Sequence, residues 1–126
     1  MAKPRILIVE DEPNIGESLS FILRKAGFAI DVVTDGADAL DRLRRQPFGA
    51  VILDLMLPGL NGLEVLKSIR TDRHLAALPV MVLTARGQAA DRRTAEAVGA
   101  SVFVTKPFSN SEVVSHICRL TAGGAG

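Results

Sequence analysis

Short runs of consecutive apolar residues alternate along the chain with longer stretches in which apolar residues recur every three or four positions. The runs at 5–9, 29–33, 50–53, 80–83 and 101–105 predict five β-strands. Val51, Ile52 and Leu53 show no polar alternation, as expected of a strand buried on both faces. Between the strands, Ile15, Leu19, Ile22, Leu23 and Ala26 keep the spacing of one buried helix face. Ala37, Leu40 and Leu43 mark a second helix, and Leu63, Leu66 and Ile69 a third. An Ala-rich stretch at 90–98 reads as a fourth, and Val113, Val114, Ile117 and Leu120 make a fifth.

Punctuation residues support these elements. Pro13 suits a first helical position. Asn61 with Glu64, and Ser109 with Glu112, have the three-residue spacing of N-cap and capping box. Gly27 and Gly99 stand just past helix ends, where a left-handed residue is favoured. Five strands alternating with five helices predict an α/β domain, a doubly wound parallel sheet with helices on both faces. Such sheets bind ligands outside the carboxyl ends of their strands. The domain is expected to span residues 1–120, with a flexible Gly-rich tail at 121–126.

Composition narrows the classes of function. The chain has 126 residues, 48% hydrophobic and 23% charged, which suits one soluble globular domain. Fifteen Lys and Arg against fourteen Asp and Glu leave a net charge of +1. That balance does not argue for nucleic acid or an anionic membrane as the main partner, and neither direct nucleic-acid binding nor membrane binding by this domain is expected. No apolar run reaches the roughly 18 residues of a membrane span, and no signal-peptide pattern opens the chain. Cys118 is the single cysteine, read as a small buried hydrophobe in the last helix, and it fits the reducing cytoplasm. His74 and His116 have no companion at metal spacing and read as surface residues.

The chemistry sits where the strands end. The first strand runs into Glu10 and Asp11, the third into Asp54, the fourth into Thr84 and the fifth into Lys106. Alone, each has an ordinary structural explanation; together they form a coherent charge set at one sheet edge. Three clustered carboxylates repel one another, so a proton or a cation must join them. Oxygen-only ligands suit a hard divalent ion such as Mg²⁺. With that ion and Lys106 the formal charges cancel, and the site can accept a phosphoryl group. Asp54 is the candidate nucleophile, giving an aspartyl phosphate, and Thr84 the candidate hydroxyl donor to its oxygens.

These residues resemble the receiver domain of two-component response regulators, over about residues 3–120. The matching pieces are ILIVEDE at 6–12, VILDLMLPGLNG at 51–62, VMVLTARG at 80–87 and VTKPFS at 104–109. The resemblance implies a chemotaxis-regulator-like, flavodoxin-like fold with strand order 2-1-3-4-5. It implies phosphoryl transfer from a sensor histidine kinase, or a histidine phosphotransfer protein, to Asp54. It also implies that Asp11, Asp54 and the Met56 backbone carbonyl ligate Mg²⁺ directly, with Glu10 acting through a water. Thr84 and Lys106 become the phosphate-sensing pair, and Lys106-Pro107 a cis peptide. Partners would read the face built from the fourth helix, fifth strand and fifth helix. The resemblance implies a signalling domain rather than an enzyme, capable at most of self-phosphorylation and autodephosphorylation.

Several positions depart from that pattern. Phe103 replaces a switch tyrosine, keeping a ring that can turn inward but no hydroxyl. GASVF at 99–103 lacks the paired acids that precede the aromatic in winged-helix regulators, and His116 stands where those carry a basic residue. A monomer, or a weak phosphorylation-dependent dimer, is therefore expected. The chain is either a stand-alone receiver or the receiver portion of a longer DNA-binding regulator. A nucleotide or flavin binder would need a Gly- or Ser-rich loop where EDEP stands. A haloacid-dehalogenase-type phosphatase would need a general acid where Met56 stands.

Overall fold

The computed structural model describes residues 3–85 and 87–123. The elements run β1 (Arg5–Val9), α1 (Pro13–Lys25), β2 (Ala29–Val33), α2 (Gly36–Arg45) and β3 (Ala50–Leu53). They continue with α3 (Gly62–Thr71), β4 (Val80–Thr84), α4 (Ala89–Val98), β5 (Val102–Thr105) and α5 (Asn110–Gly123). All strand pairs are parallel, in the expected order β2-β1-β3-β4-β5.

Strand alternation divides the core into two layers. Leu7, Val9, Val51, Leu53, Val80, Val82 and Phe103 face α2, α3 and α4, where Leu40, Leu43, Val65, Leu66, Ile69 and Ala95 meet them. Ile6, Ile8, Ile52, Met81, Leu83 and Val104 face α1 and α5, against Leu19, Leu23, Val113 and Ile117. Each of these side chains other than Ala95 contributes roughly 1.5–3 kcal/mol by leaving water. The central strands are covered on both faces, which explains their unbroken apolar runs.

Register carries this packing to the sheet edge. Val9 pairs with Leu53, and Thr84 with Thr105. The residues that follow β1, β3 and β5, namely Glu10-Asp11, Asp54 and Lys106, therefore emerge together. The loop after β3 is held by a tight approach: a Cβ on Gly62 would strike the Asp54 carbonyl oxygen and lie 2.5 Å from Leu55 Cα. Only glycine lets α3 begin so close beneath Asp54.

Helix ends follow the predicted chemistry. Pro13 opens α1, Asn61 Oδ1 accepts the Glu64 N–H at 3.0 Å, and Ser109 Oγ accepts the Glu112 N–H at 3.1 Å. Gly27 and Gly99 have φ of 103° and 127°. Asp35 caps α2 by accepting the Asp38 N–H at 2.8 Å, a cap not among those expected from the sequence.

Local differences have local causes. Ala39, not Ala37, faces the core from α2, beside Gly36, Leu40 and Leu43. Thr84 belongs to β4, while Ser101 stays outside β5 because its hydroxyl takes the Val80 N–H at 3.0 Å. The α5 helix extends through Gly123, three residues into the expected tail, with Thr121 Oγ1 bonded to the Ile117 carbonyl at 2.8 Å. Residues 124–126 of that tail lie outside the described residues. Cys118 is half-buried against the α1 and α5 layer. His74 is exposed, but His116 buries its Nδ1 without a hydrogen-bond partner among the described residues, so it is not a plain surface side chain.

Candidate functional site

The carboxyl edge of the sheet gathers Glu10, Asp11, Asp54, Thr84 and Lys106. Glu10, Asp54 and Thr84 are buried, only 3%, 4% and 0% exposed, whereas Asp11 is open to solvent. Lys106 Nζ lies between the two buried acids, 2.8 Å from Glu10 Oε1 and 3.0 Å from Asp54 Oδ2. Exposed Glu12 stands 3.9 Å from the same ammonium, a contact the sequence did not signal.

Backbone groups orient the carboxylates. The Met56 N–H donates to Asp54 Oδ1 at 3.0 Å, and the Glu12 N–H to Glu10 Oε2 at 3.2 Å. The Lys106 N–H donates to the Thr84 carbonyl at 2.9 Å, which ties the ends of β4 and β5 together. The Lys106-Pro107 peptide is cis. The Met56 side chain is half exposed beside the site.

Burial pushes the Glu10 carboxyl above its ordinary value, and nearby Asp54 adds to this. Hydrogen bonds from Lys106 and the Glu12 amide offset the rise only in part. Burial would lower the Lys106 pKa, but the bonds to Glu10 and Asp54 outweigh it and the ammonium is held above its ordinary value. The group is a buried cation shared by two acids.

Carboxylate oxygens of Glu10, Asp11 and Asp54 lie within 4.8 Å of one another. That span and all-oxygen chemistry fit a hard divalent cation. A strand-end carboxylate beside an ammonium and a hydroxyl-bearing residue is also equipped to take and stabilise a phosphoryl group.

Phe103 points inward, 7% exposed, within the layer facing α4. Arg92 on α4 covers it, its guanidinium carbon 5.0 Å from the ring centroid. Nothing in the spacing of Arg92 and Phe103 along the chain signals this pairing.

A family model for the response regulator receiver domain matches residues 6–118. The chain is 41% identical over 120 residues to the sensory transduction protein RegX3 of Mycolicibacterium smegmatis, covering 95% of this chain and 51% of that protein. It is 38% identical over 115 residues to the DNA-binding response regulator MtrA of the same organism, covering 91% and 49%. The chain thus spans about half the length of these relatives. Among solved structures it resembles the receiver domain of a sensor histidine kinase from Pseudomonas aeruginosa, with TM-score 0.89 and 30% identity over 96% of this chain and 99% of that one. That structure has a magnesium ion coordinated in its active-site cleft.

Proposed function

The chain belongs to the response regulator receiver domain family of two-component signalling, and from that premise we propose that Asp54 is its phosphoryl acceptor. The observation that carries the reading is the Lys106 ammonium bonded to both Glu10 and Asp54 at the mouth of the sheet. The donor is a histidine kinase phosphohistidine, or that of a histidine phosphotransfer protein, and the setting is the cytoplasm. Among the described residues no helix is long and apolar enough to cross a membrane. The product is a signal rather than a turnover product, with activity limited to self-phosphorylation and autodephosphorylation.

Asp11, Asp54 and the Met56 carbonyl would hold Mg²⁺, with Glu10 acting through a water. A bound ion supplies positive charge against the phosphoryl oxygens. Asp54 presents the attacking oxygen, steadied by the Met56 N–H. Lys106 can follow the new negative charge, and Thr84 offers its hydroxyl. Asp11→Ala is expected to weaken Mg²⁺ binding more than Glu10→Ala, whose loss falls in the 10–100-fold range of outer-sphere partners, at about its lower end. Glu10 already has Lys106 and the Glu12 amide on its oxygens, while Asp11 is exposed. Titration followed by NMR shifts around β1 checks the order, and a larger loss for Glu10→Ala refutes it.

Thr84 and Phe103 make the relay to the α4-β5-α5 face, where a downstream protein or effector domain binds. Each charge-assisted hydrogen bond is worth roughly 1.5–3 kcal/mol, so a bond made only in the phosphorylated state shifts the balance by about one to two decades. Thr84→Ala is expected to leave Asp54 phosphorylatable and to lose the response at that face. NMR of beryllofluoride-treated protein, followed over residues 90–120, reads it; shifts equal to wild type remove Thr84 from the relay.

The relatives favour a second reading at the level of the whole protein. MtrA is a DNA-binding response regulator of which the chain covers 49%, which supports a receiver portion of a longer transcriptional regulator. The receiver itself is proposed to be a monomer, or a weak phosphorylation-dependent dimer, without direct nucleic-acid contact.

A further inference from the structure

Among the described residues, α4 is held to the sheet by little apolar surface: Ala95 is its one buried residue. Val98, at its end, is partly buried against the same layer. A second attachment is polar. Arg92 reaches over β5, places its guanidinium 5.0 Å from the Phe103 centroid and brings Nη2 within 3.5 Å of the Phe103 carbonyl. β5 is an edge strand, so this carbonyl has a donor from α4 in place of a sixth strand. Arg92 thus grips both the ring and the backbone of one residue.

The geometry points to Arg92 as a positioning residue for the switch, a latch that holds the Phe103 ring inward and α4 against β5. The inference rests on the proposed Thr84–Phe103 relay. Phe103 has no hydroxyl with which to bond a neighbour in either orientation. Its inward placement therefore depends on packing and on the cation above its face. Turning the ring outward requires the guanidinium to leave, which exposes the carbonyl and the ring together. The latched orientation is the one compatible with Thr84 drawn towards a phosphoryl group, so the latch and the acceptor site favour the same state. By reciprocity, whatever stabilises the inward ring raises affinity for a phosphoryl mimic by up to the same factor. Guanidinium–aromatic contacts at exposed sites correspond to a factor of about two to five.

The test is beryllofluoride affinity in the presence of Mg²⁺ for wild type, Arg92→Met, Phe103→Leu and the double variant. Methionine keeps the apolar stem and removes the charge. The expected result is a two- to five-fold loss, at about this size, on Arg92→Met in the Phe103 background. No further loss is expected in the Phe103→Leu background, and partial recovery with Arg92→Lys. Equal losses in both backgrounds, or none in either, overturn the latch. Ring resonances of Phe103 in the free protein provide a separate reading. If Arg92→Met leaves them unmoved, the latch is refuted whatever the acceptor site does. If they move but the affinity does not, Arg92 packs the ring without tuning the switch, and the positioning role falls. Failure of the wild type to bind beryllofluoride overturns the acceptor-site reading and, with it, this role.

Discussion

Asp54→Asn is expected to abolish phosphorylation. Wild-type protein incubated with Mg²⁺ and acetyl phosphate should gain one phosphoryl group by intact mass, and the variant none. Asparagine retains the shape and an acceptor for the Met56 N–H, but it loses the anionic oxygen that attacks phosphorus. Removing a nucleophile lowers such a rate by roughly 10³-fold or more. The other two acids are poorer candidates. Glu10 has Lys106 on one oxygen and the Glu12 amide on the other, and burial already disfavours its charged form. Asp11 lies close to Asp54 but is open to solvent, where a developing charge is less well controlled than on the buried Asp54. Equal adducts on wild type and Asp54→Asn would move the acceptor elsewhere, with Asp11 next to be tested.

Lys106→Met is expected to cause the largest loss of stability at the site. The ammonium is 11% exposed and is bonded to two carboxylates, one 3% and the other 4% exposed. Deleting one partner of a buried ionic group leaves uncompensated charge and costs about 3 kcal/mol. For a domain of this size that is a fall in Tm of about 10 °C. Mg²⁺ should recover part of the loss, because it offsets the same carboxylates. The pH dependence has a definite sign. Glu10 is raised above its ordinary 4.5 in the folded protein, so its protonated form is favoured there relative to the unfolded chain. Acidification from neutral pH towards that value therefore relieves the variant more than the wild type, and the gap in Tm narrows. Lys106 is raised above 10.5, so its own contribution is complete at neutral pH and is lost only as pH climbs through its folded value. Calorimetry across pH 5 to 8, at about 1 mM EDTA or Mg²⁺ well above Kd, reads both effects. A gap that widens towards acid, or that ignores Mg²⁺, would show that Lys106 is not the neutralising cation of these two acids.

Strand runs, helix caps and the acid, threonine and lysine positions at strand ends were all legible before any coordinates, and the reason is local. A strand covered on both faces must be apolar at successive positions, as Val51, Ile52 and Leu53 are. A cap needs one side-chain oxygen at one offset, as Asn61 and Ser109 supply. The rule that open α/β sheets bind ligands at their carboxyl ends then placed Glu10, Asp54 and Lys106 at one edge without distances.

What only the tertiary structure decided depends on contacts between distant positions. Lys106 meets Glu10 across 96 residues and Asp54 across 52, and the split of its bonds between them follows from where β1, β3 and β5 end in space. The choice of Ala39 over Ala37 turns on which side of α2 the strands approach, a matter of about 200° around the helix that three apolar positions underdetermine. Ser101 leaves the predicted strand where its hydroxyl oxygen accepts the N–H of Val80, 21 residues away. Arg92 covers Phe103 because α4 crosses the edge strand at that height. Patterning encodes which face of each element avoids water; the pairing of individual polar groups is set by how those faces dock.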